Sequence, residues 1–353
     1  MYNSIVLTGG GTAGHVTPNL VIAKELKKHF NNIYYLGSNS EIEKNLISQN
    51  KDIKFFSIPS VKLIRGKFFA NLLLPFKLIK ATIIAKKHLK KIKPNVVFSK
   101  GGYVSVPVVL GAKALKIPVV CHESDLSSGL ANKICAKSAK AVCTTFEKTA
   151  EEFGAKGVFT GSPNSIASPL SKEDAKQKLG IKTSKPILLI TGGSLGSQAI
   201  NEVCFKASKE LARKFYVVHV VGKGNLNKSL LSLDSYKQIE FTNQMPDFMT
   251  ACDLVISRAG SNTIFELAML HKPMLLIPLP KGSSRGDQVE NAKYFANKKF
   301  ALVLQQANLN SQTLLYNLSR LQTDAPGLSQ TLKNAGFKNG TQAIVQTILK
   351  HTV

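Results

Sequence analysis

Short apolar runs alternate along this chain with longer stretches at helical spacing. Ile5-Val6-Leu7, Ile33-Tyr34-Tyr35-Leu36, Val96-Val97-Phe98, Val119-Val120-Cys121, Ala141-Val142-Cys143 and Val158-Phe159 read as strands. They are apolar throughout rather than alternating, as strands buried on both faces of a parallel sheet are. Between them Leu20, Ala23 and Leu26 keep a helical stripe, with Pro18 expected in its first turn, and residues 104–115 read as a helix after Pro107. The pattern then starts again. Residues 186–190, 217–221, 239–241, 254–256 and 274–278 read as strands, residues 172–179 as a helix, and residues 309–321 and 341–349 as amphipathic helices. Strands alternating with helices predict an α/β chain.

Glycine turns stand at the expected strand ends. Thr8-Gly9-Gly10-Gly11-Thr12-Ala13-Gly14-His15 follows the first strand, and Ser99-Lys100-Gly101-Gly102-Tyr103 follows another. Ile190-Thr191-Gly192-Gly193 repeats Leu7-Thr8-Gly9-Gly10, so the chain opens a second Rossmann-like unit. Gly161-Ser162-Pro163-Asn164-Ser165 between them reads as a linker. The expected organisation is residues 1–162, residues 163–336, and a helix in 337–353 returning to the first domain. Two such domains facing each other would enclose a ligand cleft.

The chemistry concentrates at the turns. Ser257-Arg258-Ala259-Gly260-Ser261-Asn262-Thr263-Ile264-Phe265-Glu266 joins a strand end to a helix start, where free N–H groups and the helix dipole favour phosphate. Glu266 reads either as a ligand of sugar hydroxyls or as the acid of a Thr263-x-x-Glu266 capping box. His15 reads as a neutral base or as an ordinary loop histidine. His122-Glu123-Ser124-Asp125 is a polar cluster at a strand's carboxyl end, the edge where open α/β sheets bind ligands. Asp287, Gln288 and Asn291 read as sugar-hydroxyl partners or as a polar helix start. Gly9, Gly11 and Gly14 meet the G-x-G-x-x-G spacing, but Gly37-Ser38 follows the next strand where a dinucleotide site needs an acid.

Charge sharpens the picture. Over 353 residues, 47 Lys and Arg face 21 Asp and Glu, a formal +26. Length predicts about two domains, and the charge predicts an anionic partner. No acid occurs between Asp52 and Glu123, where fourteen Lys or Arg stand. In that stretch Leu63, Ile64, Phe68, Phe69, Leu72, Leu73 and Phe76 mingle with Arg65, Lys67 and Lys77, as an interfacial element touching anionic lipid would, or a plain core stripe. Trp is absent, which leaves little aromatic surface for single-stranded nucleic acid. Five cysteines without a C-x-x-C pair predict buried thiols and no zinc site. No D-x-D pair occurs, so a metal-held diphosphate is poorly supported, and no export signal or spanning run is read.

Six ordered motifs carry a family resemblance over essentially the whole chain. Thr8 to Pro18, Gly101 to Ser105, His122 to Asp125, Gly192-Gly-Ser194-x-Gly-Ser, Ser257 to Glu266 and Asp287-Gln288-x-x-Asn291-Ala resemble the MurG family. These are bacterial transferases of N-acetylglucosamine onto lipid-linked muramyl-pentapeptide in peptidoglycan synthesis. The resemblance implies a GT-B fold with an acceptor-side N-domain and a UDP-sugar C-domain, and an inverting, metal-independent transfer with no cofactor. It puts His15 as the base, with Glu123 and Asp125 assisting and Thr12, Ala13 and Gly14 on the phosphate-binding loop. It puts Glu266 on the ribose and Ser261, Asn262, Thr263, Ile264 and Phe265 at the diphosphate. Ser194 falls at a nucleotide contact, Thr242 at the uracil contact, and Asp287 and Gln288 at the sugar pair.

Three positions depart from the family's usual residue. Asp125 stands where Asn is frequent, Ser165 where an arginine is common, and Asp287 where glutamine is common. Arg258 or Arg285 is the expected substitute for the missing linker cation. The implied partners are UDP-GlcNAc, the lipid-linked acceptor, an anionic membrane surface at the cytoplasmic face of the plasma membrane and other cell-wall synthesis proteins, with no nucleic acid. The rival readings are another lipid-acceptor GT-B enzyme, a basic nucleic-acid-binding protein and a nicotinamide oxidoreductase.

Overall fold

The computed structural model describes residues 1–61, 71–166, 170–282 and 284–353. The chain forms two compact units, residues 1–165 with 339–353, and residues 166–338.

The first unit runs β1 (Tyr2–Thr8), α1 (Ala13–Leu26), β2 (Phe30–Gly37), α2 (Glu41–Ser48), β3 (Ile53–Ser57), α3 (Leu74–Ile92), β4 (Val96–Ser99), α4 (Ser105–Ala114), β5 (Val119–Glu123), α5 (Leu130–Ala136), β6 (Ala141–Thr144), α6 (Glu147–Glu151) and β7 (Gly157–Phe159). The second runs α7 (Lys172–Lys178), β8 (Ile187–Thr191), α8 (Gln198–Lys206), α9 (Ser208–Lys214), β9 (Tyr216–Val220), β10 (Tyr236–Ile239), α10 (Met245–Ala251), β11 (Leu254–Ser257), α11 (Ser261–Met269), β12 (Met274–Leu276), α12 (Asp287–Asn297), β13 (Leu302–Val303) and α13 (Ser311–Ala335). The closing helix α14 (Thr341–Lys350) returns to the first unit.

Both sheets are parallel, and both follow one topology. The first orders its strands β3-β2-β1-β4-β5-β6-β7, the second β10-β9-β8-β11-β12-β13. Each chain path winds outward from its first strand and then crosses back to the other side of it. The winding therefore reverses between β1 and β4, and between β8 and β11, and the crevice beyond those strand ends is where such sheets take ligands. Thr8 pairs in register with Ser99, and Thr191 with Ser257. The next residues of each pair, Gly9 with Lys100 and Gly192 with Arg258, stand at equivalent positions in the two units.

The apolar runs are buried as their uniform pattern predicts. Ile5, Leu7, Val96, Phe98, Val120 and Cys143 pack with Val16 and Ile22 of α1 and with Ile344, Val345 and Ile348 of α14 on one sheet face. Val6, Val97, Cys121 and Val142 join Ala85 and Leu89 of α3 and Val108 and Ala112 of α4 on the other. In the second unit Leu188, Ile190, Ile256 and Leu275 meet α8, α9 and α13. The return of α14 is pinned near the end of the first unit: Gly340 N–H donates to the Ser162 carbonyl, and Asn164 N–H donates to Asn339 Oδ1 and Thr341 Oγ1. All five thiols are buried and free.

Several boundaries differ from the sequence reading. Helix α1 begins at Ala13, so Pro18 lies inside it rather than in its first turn. The expected strand at 239–241 ends at Ile239, which places Phe241 in an exposed turn. Helix α13 continues to Ala335 through Pro326, because Leu328 and Leu332 still bury against the core beyond the proline. No helix among the described residues is long and apolar enough to cross a membrane.

Candidate active site

The glycine loop after β1 is built from below by buried polar groups. Asn19 Nδ2 donates to the Thr8 carbonyl, the Tyr35 hydroxyl donates to the Gly9 carbonyl, and Thr8 Oγ1 donates to the Leu36 carbonyl. Glu43 of α2 reaches back to the loop. It is 1% exposed, and its carboxylate accepts from Gly11 N–H at 2.8 Å, Ser38 N–H at 2.6 Å and the Ser38 hydroxyl at 2.6 Å. Ser40-x-x-Glu43 has the spacing of a capping box, and Ser40 does cap α2. The Glu43 carboxylate is spent on the loop instead. A fixed carboxylate on Gly11 N–H fills a place a dinucleotide phosphate would claim, which agrees with the missing ribose acid.

Thr12 is the N-cap of α1 but makes no side-chain capping bond. Its hydroxyl instead meets His15 Nδ1 at 3.0 Å. The helix start therefore has no side-chain cap from Thr12, as an anion site requires, and the imidazole is held. The Gly101-Gly102 turn closes on this loop. A Cβ at Gly102 (φ +81°) would lie 2.5 Å from the Gly10 carbonyl oxygen and 3.5 Å from His15 Cε1.

The 122–125 cluster joins the same edge. Glu123 is buried, and its two oxygens accept from Asp125 N–H at 3.0 Å, Gly129 N–H at 2.9 Å and Asn132 Nδ2 at 2.8 Å. That set of donors makes Glu123 a holder of the turn and of the start of α5. Asp125 is half-buried on that turn. Behind it, Lys100 is fully buried, with Nζ 3.0 Å from His122 Nδ1 and hydrogen-bonded to Ser124 Oγ. Burial lowers the Lys100 ammonium to about 8, while Glu123 and Asp125 oppose the shift. Burial, and then the Lys100 charge, hold His122 well below its ordinary range. The sequence reading passed over Lys100 and Glu43. A lysine between an apolar strand and a double glycine was the available signal for the first.

The second unit repeats the arrangement. Gly196 (φ +77°) leaves no room for a side chain, since a Cβ would lie 2.0 Å from the Val221 carbonyl oxygen. Ser194 is exposed on that turn. Helix α11 starts at Ser261 with Gly260 as N-cap. Thr263 is thus inside the first turn and Glu266 a turn further on, so the Thr263-x-x-Glu266 capping box is not formed. Ser261, Ile264 and Phe265 are buried, while Asn262, Thr263 and Glu266 are half-buried.

Arg258 is buried and donates to the Ile277 carbonyl at 3.0 Å and to Ser197 Oγ at 2.7 Å. It ties three turns together and is spent there, so it does not substitute for a linker arginine. Arg285 instead approaches Asp287, Nε to Oδ1 3.6 Å. Asp287 and Gln288 open α12 behind Gly286, and Gln288 Oε1 accepts from Leu279 N–H at 3.1 Å. Asn291 is buried and donates to the Ala259 carbonyl at 3.2 Å, linking α12 to the α11 turn. Thr242 lies beyond β10, where its hydroxyl accepts from Gln244 N–H at 2.9 Å. Ser165 is exposed at the end of the first unit.

The structure therefore gathers Thr12, Gly14, His15, Glu123 and Asp125 at one sheet edge of the first unit. It gathers Ser194, the α11 start, Asp287 and Gln288 at the equivalent edge of the second. Among the described residues no group of three or more His, Cys, Asp or Glu is placed to hold a metal ion. Leu63, Ile64, Arg65, Lys67, Phe68 and Phe69 lie outside the described residues. Leu72, Leu73 and Phe76 are exposed, as are Ile79 and Ile83 further along α3, while Ala81, Ala85 and Leu89 on the other side are buried.

Comparison with known proteins agrees with this architecture. Residues 5–144 match the glycosyltransferase family 28 N-terminal domain and residues 187–348 its C-terminal domain. Two parallel Rossmann-like units with these matches define a glycosyltransferase of the GT-B class. A Clostridium tetani protein (strain Massachusetts / E88) is 44% identical over 99% of both chains, and a Clostridium botulinum protein (strain Alaska E43 / Type E3) is 45% identical over 98% of this chain and 97% of its own. Both are named UDP-N-acetylglucosamine–N-acetylmuramyl-(pentapeptide) pyrophosphoryl-undecaprenol N-acetylglucosamine transferase. The crystal structure of Acinetobacter baumannii MurG superposes with a TM-score of 0.77 at 28% identity over 99% of each chain. The chain belongs to the MurG family.

Proposed function

We propose that the protein transfers N-acetylglucosamine from UDP-GlcNAc to the 4-hydroxyl of undecaprenyl-pyrophosphoryl-N-acetylmuramyl-pentapeptide, with inversion and without a bound metal. The observation that carries the reading is the match, over nearly the full length of both chains, to transferases so named. The site supports it chemically. The α11 start, with Gly260 as N-cap, turns the positive end of the helix dipole toward a leaving diphosphate. Glu266, half-buried one turn into α11, takes the ribose hydroxyls. Ser194 and Thr242 serve the nucleotide, and Asp287 and Gln288 at the α12 start serve the sugar.

In the first unit the acceptor's hydroxyl would lose its proton to His15. This role uses the tautomer in which Nδ1–H donates to Thr12 Oγ1, 3.0 Å away, so that Nε2 is the basic nitrogen. Asp125 stabilises the imidazolium that forms, and Glu123 acts through the turn it holds. Gly14 and its neighbours at the α1 start receive the acceptor's phosphates. The start of helix α3 docks the enzyme on the anionic cytoplasmic leaflet, where the acceptor resides, by the exposed Leu72 and Leu73 that precede the helix and Phe76 on it, with Lys77 and Lys80.

Calorimetry of UDP-GlcNAc binding, with and without EDTA, tests the donor half. The expected result is binding indifferent to EDTA and weakened by roughly 30-fold or more in Glu266→Ala, as loss of a charged hydrogen bond of about 2 kcal/mol implies. Binding that needs metal, or that survives Glu266→Ala unchanged, refutes the corresponding assignment.

A further inference from the structure

At the equivalent point of each sheet, one residue past the strand that pairs with the unit's first strand, the chain places a buried cation. In the second unit Arg258 is spent on a serine hydroxyl and a carbonyl. In the first, Lys100 lies in the crevice of the topological switch, its backbone N–H bonded to the Thr8 carbonyl at 2.8 Å. Its Cβ would be 3.0 Å from any Cβ at Gly9, so its stem floors the glycine loop.

We propose that Lys100 is a positioning residue of the acceptor side, whose buried ammonium fixes the His122 tautomer and holds Ser124, and with it the 122–125 turn, in place beside the glycine loop. The proposal rests on the transferase reading above. An ammonium has donors and no acceptor, so His122 Nδ1 must carry the lone pair. The proton then sits on Nε2, which meets the Gly161 carbonyl at 3.4 Å. Ser124 Oγ accepts from the same ammonium and so turns its own hydrogen elsewhere. The charge also offsets the two carboxylates that the 122–125 turn carries to a low-dielectric edge. Glu123 accepts from Asp125 N–H, Gly129 N–H and Asn132 Nδ2, so the turn that carries Ser124 is held from the other side as well.

The titratable groups around this ammonium are few. His122, Glu123 and Asp125 face it from β5 and its turn, and Cys143 from β6. His15 and Glu43 border the same glycine loop.

Steady-state transfer to a lipid-linked acceptor, measured across pH for wild type and Lys100→Met, tests the assignment. Expected are a kcat lower by roughly 10- to 100-fold and an unchanged KM for UDP-GlcNAc. An alkaline limb near 8, present in wild type, should vanish in the variant. Wild-type kcat and pH profile in Lys100→Met would overturn the role of Lys100 and leave the transferase reading intact. A fall in kcat with the alkaline limb still in place would also overturn it, since that is a packing defect. No transfer by wild type would overturn both. If Lys100→Met does not fold, 15N-histidine NMR of the wild type decides. His122 protonated at Nε2 at pH 6 to 7, where the lysine is charged, supports the proposal, and His122 protonated at Nδ1 there overturns it.

Discussion

The docking face proposed for α3 makes a quantitative prediction. Phe76 is 70% exposed and Ile83 62% exposed, two turns apart on a helix whose other face packs Ala81, Ala85 and Leu89. Full burial of such a side chain is worth about 1.5–3 kcal/mol. About a third of each is already covered by protein, so lipid gains about 1–2 kcal/mol per side chain. Shallow immersion at an interface takes the lower end. Phe76→Ser with Ile83→Ser should therefore cost about 2 kcal/mol, or roughly 30-fold in partition to vesicles. The assay is cosedimentation with phosphatidylglycerol–phosphatidylcholine vesicles at several salt concentrations. Wild-type binding should also weaken with salt, because Lys77 and Lys80 each contribute about 1 kcal/mol near an anionic surface. Thermal stability should hold within about 0.5 kcal/mol, since neither side chain is in the core. Equal vesicle binding by wild type and the double variant, with both folded, would refute α3 as the docking element.

His15→Ala should lower kcat by about 10²- to 10⁴-fold while calorimetric UDP-GlcNAc binding persists; near-normal turnover would remove His15 as the base. Gly102→Ala must either clash with the Gly10 carbonyl or leave its left-handed backbone, so a loss of about 1–3 kcal/mol in stability and a fall in kcat are expected, read by denaturant melts and turnover. His219 is buried between Tyr236 and Asn201, and burial lowers its pKa to about 3. The unfolded chain binds that proton near 6.5 and the native one does not, so stability is full above 6.5 and falls below it, by up to about 1.4 kcal/mol per pH unit. Melts from pH 7 to 5 should show a flatter decline in His219→Gln; identical slopes would discard the assignment.

Much of this protein was legible in one dimension. Uniform apolar runs separated by helical stripes determined two parallel α/β units, because a strand buried on both faces has no polar side to show. The repeated Thr-Gly-Gly after an apolar strand marked where the second unit begins. The motifs at the strand ends located His15, Glu123, Asp125, Ser194, Glu266, Asp287 and Gln288, because ligand chemistry in such sheets collects at one edge.

What only the tertiary structure decided was how each polar group is spent. Glu43 looks like a helix cap and is drawn to the glycine loop, and Glu266 looks like one and is not. Arg258 and Asn291 look like ligands and are spent on carbonyls and a hydroxyl. Lys100 looks like one more surface lysine in a basic chain and is buried at the switch point. These outcomes depend on partners distant in sequence, such as Gly11 for Glu43, Ser197 for Arg258 and His122 for Lys100. A buried polar group takes whatever partner the fold brings within hydrogen-bond reach, and neither residue type nor spacing records that choice.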